Sequence, residues 1–220
     1  MTSGDTITAP AVPTKTGYDG KFDGWYQEAT LTNDWDFASD TVTSDITLYA
    51  KWRPYALGDD GQGGGKIFYR SETGFTITDN NSTAYYLEAA TSDQGTSIRW
   101  STAEGLPYAV VSNDANATAI GTGRKNTALI IAGDPFTTYN HAALLCKNYT
   151  GGSKTDWFLP SKDELNELYK QRSIFGITSG YYWSSSQDSH DEAWTQYFGS
   201  GSQHNHNKNN HGSVRAVRAF

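Results

Sequence analysis

The side chains best suited to chemistry are concentrated near the end of the chain, in residues 187–213. Four of the five histidines lie there, among many asparagines, serines and aspartates and almost no aliphatic side chains. Imidazoles at positions i and i+2 of a strand share one face and can bind Zn²⁺ or Ni²⁺. A metal site on His204, His206 and His211 is therefore one hypothesis. The spacing matches no zinc signature and the intervening asparagines are poor ligands, so we expect no metal and no cofactor.

The sequence offers no recognisable catalytic set, because no Ser–His–Asp or Cys–His arrangement follows from sequence order. Asp163, Glu164 and Glu167 invite comparison with paired catalytic carboxylates. They fall in the first turn of a predicted helix, where acidic side chains favour the helix dipole, and we interpret them as a solvated face. Cys146 lies on the apolar face of another predicted helix and is interpreted as a structural thiol. We therefore expect no catalytic residue and no enzyme activity.

The polar stretch is predicted to be held on a scaffold. A polar tract near a terminus is usually disordered, but Trp194, Tyr197 and Phe198 interrupt this one, and strand-like segments flank it at Tyr181–Ser186 and Val214–Phe220. Trp194 is expected to be core, and the Tyr181–Trp183 segment partly so. A fixed frame that presents a polar, aromatic-dotted surface has the composition of a recognition surface.

The genetic code divides the stretch into two sets of residues. Changing the adenines of an Asn codon, AAC, reaches Asn, His, Asp, Ser, Thr, Tyr, Gly and Ala, but not Gln, Glu, Lys or Trp. The unreachable residues are predicted to be fixed: Gln187, Glu192, Trp194, Gln196, Gln203 and Lys208. The predicted ligand-binding, variable positions are Asp188, Ser189, His190, Asp191, Thr195, Tyr197, Ser200, Ser202, His204, His206, Asn209 and His211. The alternative is a low-complexity polar loop, which composition alone does not exclude.

Composition bounds the class of protein. Hydrophobic residues make up 36% and aromatic residues 14%, which is too aromatic for disorder and suits a strand-rich globular protein. The net charge of −7 argues against a nucleic-acid partner. One cysteine excludes an intrachain disulfide, and no window is apolar enough for membrane insertion. The first five residues are not a signal peptide, so the chain is either cytosolic or a trimmed form of an exported protein; the remaining observations favour export.

Residues 1–54 are predicted to form a separate small module. The apolar residues of 46–52 alternate with polar ones, as in a strand with one buried face. The segment resembles the Listeria–Bacteroides repeat through Gly17-Tyr18, Gly24-Trp25-Tyr26 and Leu48-Tyr49-Ala50-Lys51-Trp52. The resemblance implies a β-grasp-like module of bacterial surface proteins, with a spacer or adhesion role and no catalysis.

Residues 55–220 are predicted to form the main domain. Gly58–Gly65 leads into a strand, so it is interpreted as a turn and not as a phosphate-binding loop. Helical periodicity predicts helices over 118–132 and 138–149. Ser161–Glu164 has the pattern of a capping box and predicts a third helix. Strands at both ends of the domain suggest that the two ends pair with each other in one sheet.

This region resembles a bacterial C-type-lectin-like domain of the formylglycine-generating-enzyme type. The resemblance rests on Gly61–Tyr69, Trp157–Leu165, Tyr182–Ser186 and Arg215–Phe220. It is similar in particular to the variable proteins of diversity-generating retroelements, with the Treponema variable protein as the nearest example. In those systems a reverse transcriptase copies a template with errors at adenine, and the copy replaces the 3′ end of the gene, here residues 181–220.

The resemblance implies an α+β fold, with two or three helices and paired terminal strands, that displays varied side chains on a surface protein. The expected partner is a protein or glycan ligand on another cell, and not nucleic acid. The calcium-binding signatures of sugar-binding lectins and the active-site cysteines of the enzyme relatives are absent from the sequence. A fixed-specificity lectin-like adhesin remains the alternative function.

Overall fold

The computed structural model describes residues 4–14, 20–101, 118–133 and 140–220. Within these ranges the chain contains ten strands and three α-helices, which confirms the predicted α+β class. The chain divides into two compact units, Met1–Tyr55 and Ala56–Phe220.

The first unit contains a two-stranded antiparallel sheet of β1 (Lys21–Tyr26) and β2 (Tyr49–Arg53). Phe22 packs edge-to-face against both Trp25 and Trp52, with ring centroids 5.6 Å apart in each pair. These aromatic contacts supply much of the apolar packing that so small a sheet needs for stability.

Two features of the predicted module differ from the structure or fall outside it. Ile46 was expected within the alternating strand, but it precedes β2 and its side chain is 40% exposed. Gly17 and Tyr18 of the repeat pattern lie outside the described residues.

In its described residues, the second unit contains two sheets and three α-helices. In chain order its elements are β3 (Lys66–Ile77), β4 (Ser82–Ala89), β5 (Gly95–Arg99), α1 (Gly123–Gly133), α2 (Ala142–Asn148), α3 (Lys162–Lys170), β6 (Tyr181–Gln187), β7 (Glu192–Tyr197), β8 (Gln203–Asn207), β9 (His211–Val214) and β10 (Val217–Ala219). The smaller sheet has the strand order β10-β4-β3, and the larger has β5-β9-β6-β7-β8.

The first and last strands of this unit lie in the smaller sheet, but the prediction that they pair with each other is wrong, because β4 lies between them. β10 pairs antiparallel with β4, and β4 pairs with β3 on its other edge. The predicted closing strand, Val214–Phe220, is in fact the end of β9 followed by β10, because the chain crosses from the larger to the smaller sheet at Arg215 and Ala216. Arg215 fixes this crossing through an ion pair with Asp93 at 2.6 Å.

The helices agree with the predicted positions but are shorter. α1 begins at Gly123, five residues later than the periodicity suggested, and α2 ends at Asn148. Residues 138 and 139 of the predicted second helix lie outside the described residues. α3 begins with the predicted capping box, in which the Ser161 side chain accepts from Glu164 N and the Glu164 carboxylate accepts from Ser161 N.

Glu164 corrects the interpretation of the acidic residues on α3 as a solvated face. Its side chain is fully buried and also accepts a hydrogen bond from Gly121 N at 2.8 Å. Burial raises the pKa of this carboxyl to about 7, although the backbone N–H donors act in the opposite direction. The carboxyl therefore joins the start of α3 to the segment before α1 and does not face solvent.

The core consists of two apolar clusters. One is built around Trp100, Trp157 and Trp183, with α1 and α2 packed against it. The other is built around Phe158 and Phe198 with residues from the smaller sheet and α3.

A buried ion network ties the glycine-rich turn to the end of the chain. Arg218 pairs with Glu88 at 2.9 Å and with Asp156 at 2.6 Å. The Glu88 carboxylate also accepts from Gly63 N at 2.8 Å. This amide is therefore satisfied by a carboxylate of the protein, which agrees with a structural turn and not with a phosphate loop.

Candidate ligand-binding site

The candidate site is formed by the turns and one face of strands β6, β7 and β8. β6 and β7 pair antiparallel with Tyr181 opposite Tyr197, and β7 and β8 pair with Thr195 opposite His204. Because side chains alternate between the two faces of a strand, this register decides which residues share the open face.

Four aromatic rings gather on that open face. The ring centroid of Tyr181 lies 4.7 Å from those of Tyr197 and His206. His204 and His206 are stacked, with centroids 6.2 Å apart and ring planes 15° apart. Tyr181 is 39% exposed, so the cluster presents aromatic area to solvent. We call these four residues the ring face.

The turn between β6 and β7 carries four of the predicted variable residues. Asp188, His190 and Asp191 are exposed and Ser189 is half-buried. Their backbone is closed by hydrogen bonds from Asp188 N and Ser189 N to the carbonyl of Glu192, at 3.0 and 3.1 Å.

The turn between β7 and β8 lies next to the ring face. Ser200 is exposed and Ser202 half-buried, and their hydroxyls are 2.8 Å apart. Ser202 Oγ is also 2.9 Å from His204 Nε2, so the hydroxyls extend the ring face with hydrogen-bonding groups. Asn209 is half-buried in the turn between β8 and β9, and His211 is exposed at the start of β9.

Thr195 is the predicted variable residue that the structure does not present to solvent. It is 2% exposed, and its hydroxyl donates to the carbonyl of His204 at 3.0 Å. Thr195 occupies a central strand, where neighbours on both sides cover it, so its codon class did not indicate its position. This placement corrects its assignment as a display residue.

The unreachable residues take inward or anchoring positions. Gln196 and Lys208 are fully buried. Gln196 Nε2 donates to the carbonyl of Gly201 at 2.7 Å, and Gln203 Nε2 donates to the carbonyl of Lys162 at 3.1 Å.

Trp194 was expected to belong to the core, but it is only half-buried. It lies on the face of the larger sheet that meets α3, where Lys162 Nζ is 3.2 Å from its ring centroid. This contact is a cation–π interaction that covers one side of the indole.

Sequence reasoning missed two contributors to the site. Tyr181 was not among the predicted positions, although Tyr belongs to the reachable set, and the strand register, which places it opposite Tyr197, identifies it. Asn205 is exposed and its Nδ2 donates to both Asp188 and Glu192, at 3.0 and 3.1 Å. Its Asn codon class was the available signal.

The surroundings of His206 favour its neutral imidazole. Burial lowers the pKa of His206 below its usual value of 6.5, and the neighbouring His204 lowers it further, while Glu192 acts in the opposite direction. Neutral imidazoles offer one donor and one acceptor each, which suits hydrogen bonding to uncharged polar groups.

The structure contradicts the three-histidine metal hypothesis. His211 lies on β9, and strands β6 and β7 separate β9 from β8, which carries His204 and His206. In the part of the chain that the structure describes, no three His, Cys, Asp or Glu side chains converge on a possible metal position.

Cys146 is fully buried on α2, and burial raises the pKa of its thiol well above the usual value. A buried neutral thiol is a poor nucleophile. Among the described residues, no helix combines the length and hydrophobicity that a membrane span requires.

Comparison with protein families gives two matches. The model of the Listeria–Bacteroides repeat domain matches residues 1–51, and that of the Lcl C-terminal domain matches residues 89–218. The second match covers more than half of the chain and includes every strand of the larger sheet.

Curated relatives share short segments with the chain. A putative Gly-rich membrane protein of Evansella cellulosilytica is 46% identical over 66 residues, which is 29% of this chain and 7% of the relative. A putative membrane protein of the same organism is 42% identical over 79 residues, or 34% and 12%. Internalin H of Listeria monocytogenes is 47% identical over 49 residues, or 22% and 9%. The chain thus spans a small part of each relative's length.

Proposed function

The chain belongs to the Lcl C-terminal domain family, and from that premise we propose that its second unit is the ligand-binding domain of a bacterial surface protein. In this proposal the side chains at the turns and on the ring face bind the ligand. They are diversified by a retroelement of the kind that serves the variable proteins, of which the Treponema protein is an example.

The observation that carries the proposal is the division between exposed and anchored residues. Apart from the buried Thr195, the predicted variable positions are half-buried or exposed, and His190, Ser200 and His204 are among the exposed ones. Of the six residues that adenine changes in an Asn codon cannot produce, Gln196 and Lys208 are buried and the other four are half-buried, so none is fully exposed. A diversified site needs this division, because substitutions at solvent-facing positions leave the free energy of unfolding nearly unchanged.

The ring face supplies the binding chemistry. Tyr181 and Tyr197 offer contact area with few rotatable bonds, so little side-chain entropy is lost on binding. The Ser200 and Ser202 hydroxyls and the imidazoles offer adaptable hydrogen bonds. The ligand in this proposal is a protein or a glycan on another cell.

The proposed location is the bacterial surface. Residues 1–51 match the Listeria–Bacteroides repeat model, Internalin H is similar to the chain over 49 residues, and two of the relatives carry names that describe membrane proteins. These matches support the proposed surface location.

Sequencing of the genomic region downstream of the gene tests the proposal. A near-copy of the segment that encodes residues 180–220, close to a reverse transcriptase gene, is expected. The two copies should differ only where the template has adenine, and His190, His204 and His206 should fall among the differing codons. If the genome contains no such copy, the domain is better explained as a fixed-specificity lectin-like adhesin.

A further inference from the structure

The turn between β6 and β7 directs three consecutive carbonyl groups at one lysine. Lys208 Nζ donates to Ser189 O at 3.2 Å and to His190 O at 2.7 Å. The backbone N–H of Lys208 donates to the next carbonyl, that of Asp191, at 2.9 Å. One residue thus binds the backbone of most of the turn.

Lys208 is itself held firmly in the interior. Its side chain is fully buried, its ammonium also donates to Gln187 Oε1 at 2.8 Å, and it lies 4.6 Å from the ring centroid of Trp100. The carbonyl of Lys208 accepts from Trp100 N at 3.1 Å. Because a buried ammonium is costly unless it is hydrogen-bonded, these acceptors are needed to keep it inside.

Two side chains of the turn are exposed to solvent. The His190 and Asp191 side chains are 58% and 62% exposed and pair with each other at 2.7 Å. Two of the ammonium's acceptors are carbonyls, which every residue type provides, and the third belongs to Gln187. Neither Gln187 nor Lys208 can arise from adenine changes in an Asn codon.

We propose that Lys208 is a positioning residue, which fixes the backbone of turn 188–191 whatever side chains the turn displays. The presentation of side chains to a ligand rests on the proposed ligand-binding function, whereas the positioning role of Lys208 does not. Lys208 would allow the exposed residues to change while the turn keeps one conformation, so that each new set of side chains is presented from the same frame.

Amide hydrogen exchange tests this role without any ligand. Lys208→Met keeps the length of the side chain and removes the ammonium. The hydrogen-bonded amides of Asp188 and Ser189 should then exchange at least about tenfold faster, because their turn opens locally. Amides in β3 and β4 should change by less than about threefold, since they belong to the other sheet. Lys170→Met, which removes an exposed lysine from α3, is the matched control and should leave the turn unchanged.

The side-chain independence of the turn is tested separately. A triple variant, His190→Ala, Asp191→Ala and Asp188→Ala, should keep the exchange rates of the remaining turn amides within about threefold of the original protein. Loss of protection in this variant, with Lys208 intact, would overturn the proposal, because the displayed side chains and not the lysine would then hold the turn.

If Lys208→Met does not fold, the pH dependence of the original protein decides. Burial lowers the pKa of Lys208 to about 8, partly offset by Asp191. Above that pH the amine has one fewer proton to donate, so the turn amides should lose protection between pH 7 and 10 relative to those of β3, after correction for intrinsic exchange. Unchanged relative protection overturns the positioning role and leaves the proposed binding function standing. Absence of a template copy in the genome would overturn the proposed diversification and leave the positioning role of Lys208 standing.

Discussion

At the scale of single residues, Glu164 places a carboxyl group in the interior beside backbone N–H donors. Its pKa of about 7 lies above the ordinary value of 4.5, so between these pH values the folded state holds the proton more tightly than the unfolded chain. The contribution of this group to stability is therefore fully present below about pH 4.5 and is lost as the pH rises to about 7.

Glu164→Gln should remove this pH dependence. Gln is accepted at this position of a capping box but loses one of the two acceptor oxygens, so we expect a cost of about 1–3 kcal/mol in the free energy of unfolding. Urea unfolding at about pH 5 and pH 7.5 should show a smaller difference in the variant than in the original protein. Glu167→Gln, on the same helix but paired with Lys170 at the surface, should keep the original difference. If the free energy of unfolding changes equally between the two pH values in all three proteins, the pH dependence does not come from Glu164.

His206 should titrate below its ordinary value because of its burial and its neighbour. The pKa of His206 is lowered first by burial and then by His204, so His204→Ala should raise it towards 6.5. His211→Ala, on a strand that two others separate from β8, should leave it unchanged. NMR titration of the imidazole Cε1–H signals measures both effects. A His206 that titrates at the same pH with and without His204 would show that the two rings do not interact.

At the scale of secondary-structure elements, strand β7 separates positions that codon class groups together. Adenine changes in an Asn codon can produce both Thr195 and Tyr197, yet Thr195 is buried and Tyr197 is half-buried. The cause is the place of Thr195 in the middle of a strand with partners on both edges, β6 and β8, whereas Tyr197 stands at the end of β7 beside a turn.

Thr195→Asn should therefore destabilise the domain, although Asn is the residue that the unchanged AAC codon encodes. The larger amide must be buried without assured partners, which costs about 1–3 kcal/mol. His190→Asn, at an exposed turn position, should change the free energy of unfolding by less than about 0.5 kcal/mol. Chemical denaturation of both variants provides the comparison. If Thr195→Asn is as stable as the original protein, the position is open to diversification after all.

The elements that could be predicted from the sequence are those with local signals. The capping box of Ser161 and Glu164 located the start of α3, and the strand-like segment Tyr181–Ser186 located β6. The break between β9 and β10 was missed. Arg215 donates to Asp93 and Arg218 to Glu88, each more than 120 residues away in sequence, and no local pattern reveals such contacts.

The candidate site was predictable as a segment but not as a surface. Codon class and composition located residues 187–213, whereas the ring face depends on cross-strand register, which a shift of one residue would invert. Tyr181 lies on the ring face because it is opposite Tyr197. Lys208 does not, because its ammonium donates to the carbonyls of the turn between β6 and β7. Neither relation is contained in the local sequence.

At the scale of the whole molecule, the end of the chain is built into the second unit and is not an appendage. β10 pairs with β4, and Arg218 lies among Glu88, Asp156 and the glycine-rich turn. A retroelement that replaced the segment encoding residues 181–220 would therefore also rewrite part of the core. The frame residues must be restored with each new copy for the domain to fold.

Arg218→Met tests this dependence. The change leaves Glu88 buried without its cation, and breaking a buried pair from one side costs about 3–5 kcal/mol. Arg70→Met removes an arginine of the same sheet whose side chain is 42% exposed and 3.9 Å from Glu72, and should cost less than about 1 kcal/mol. Thermal and urea unfolding of the two variants measure the difference. Equal stabilities would show that the last strand is not secured by this network, and the constraint on the replaced segment would then reduce to the apolar contacts of Val217.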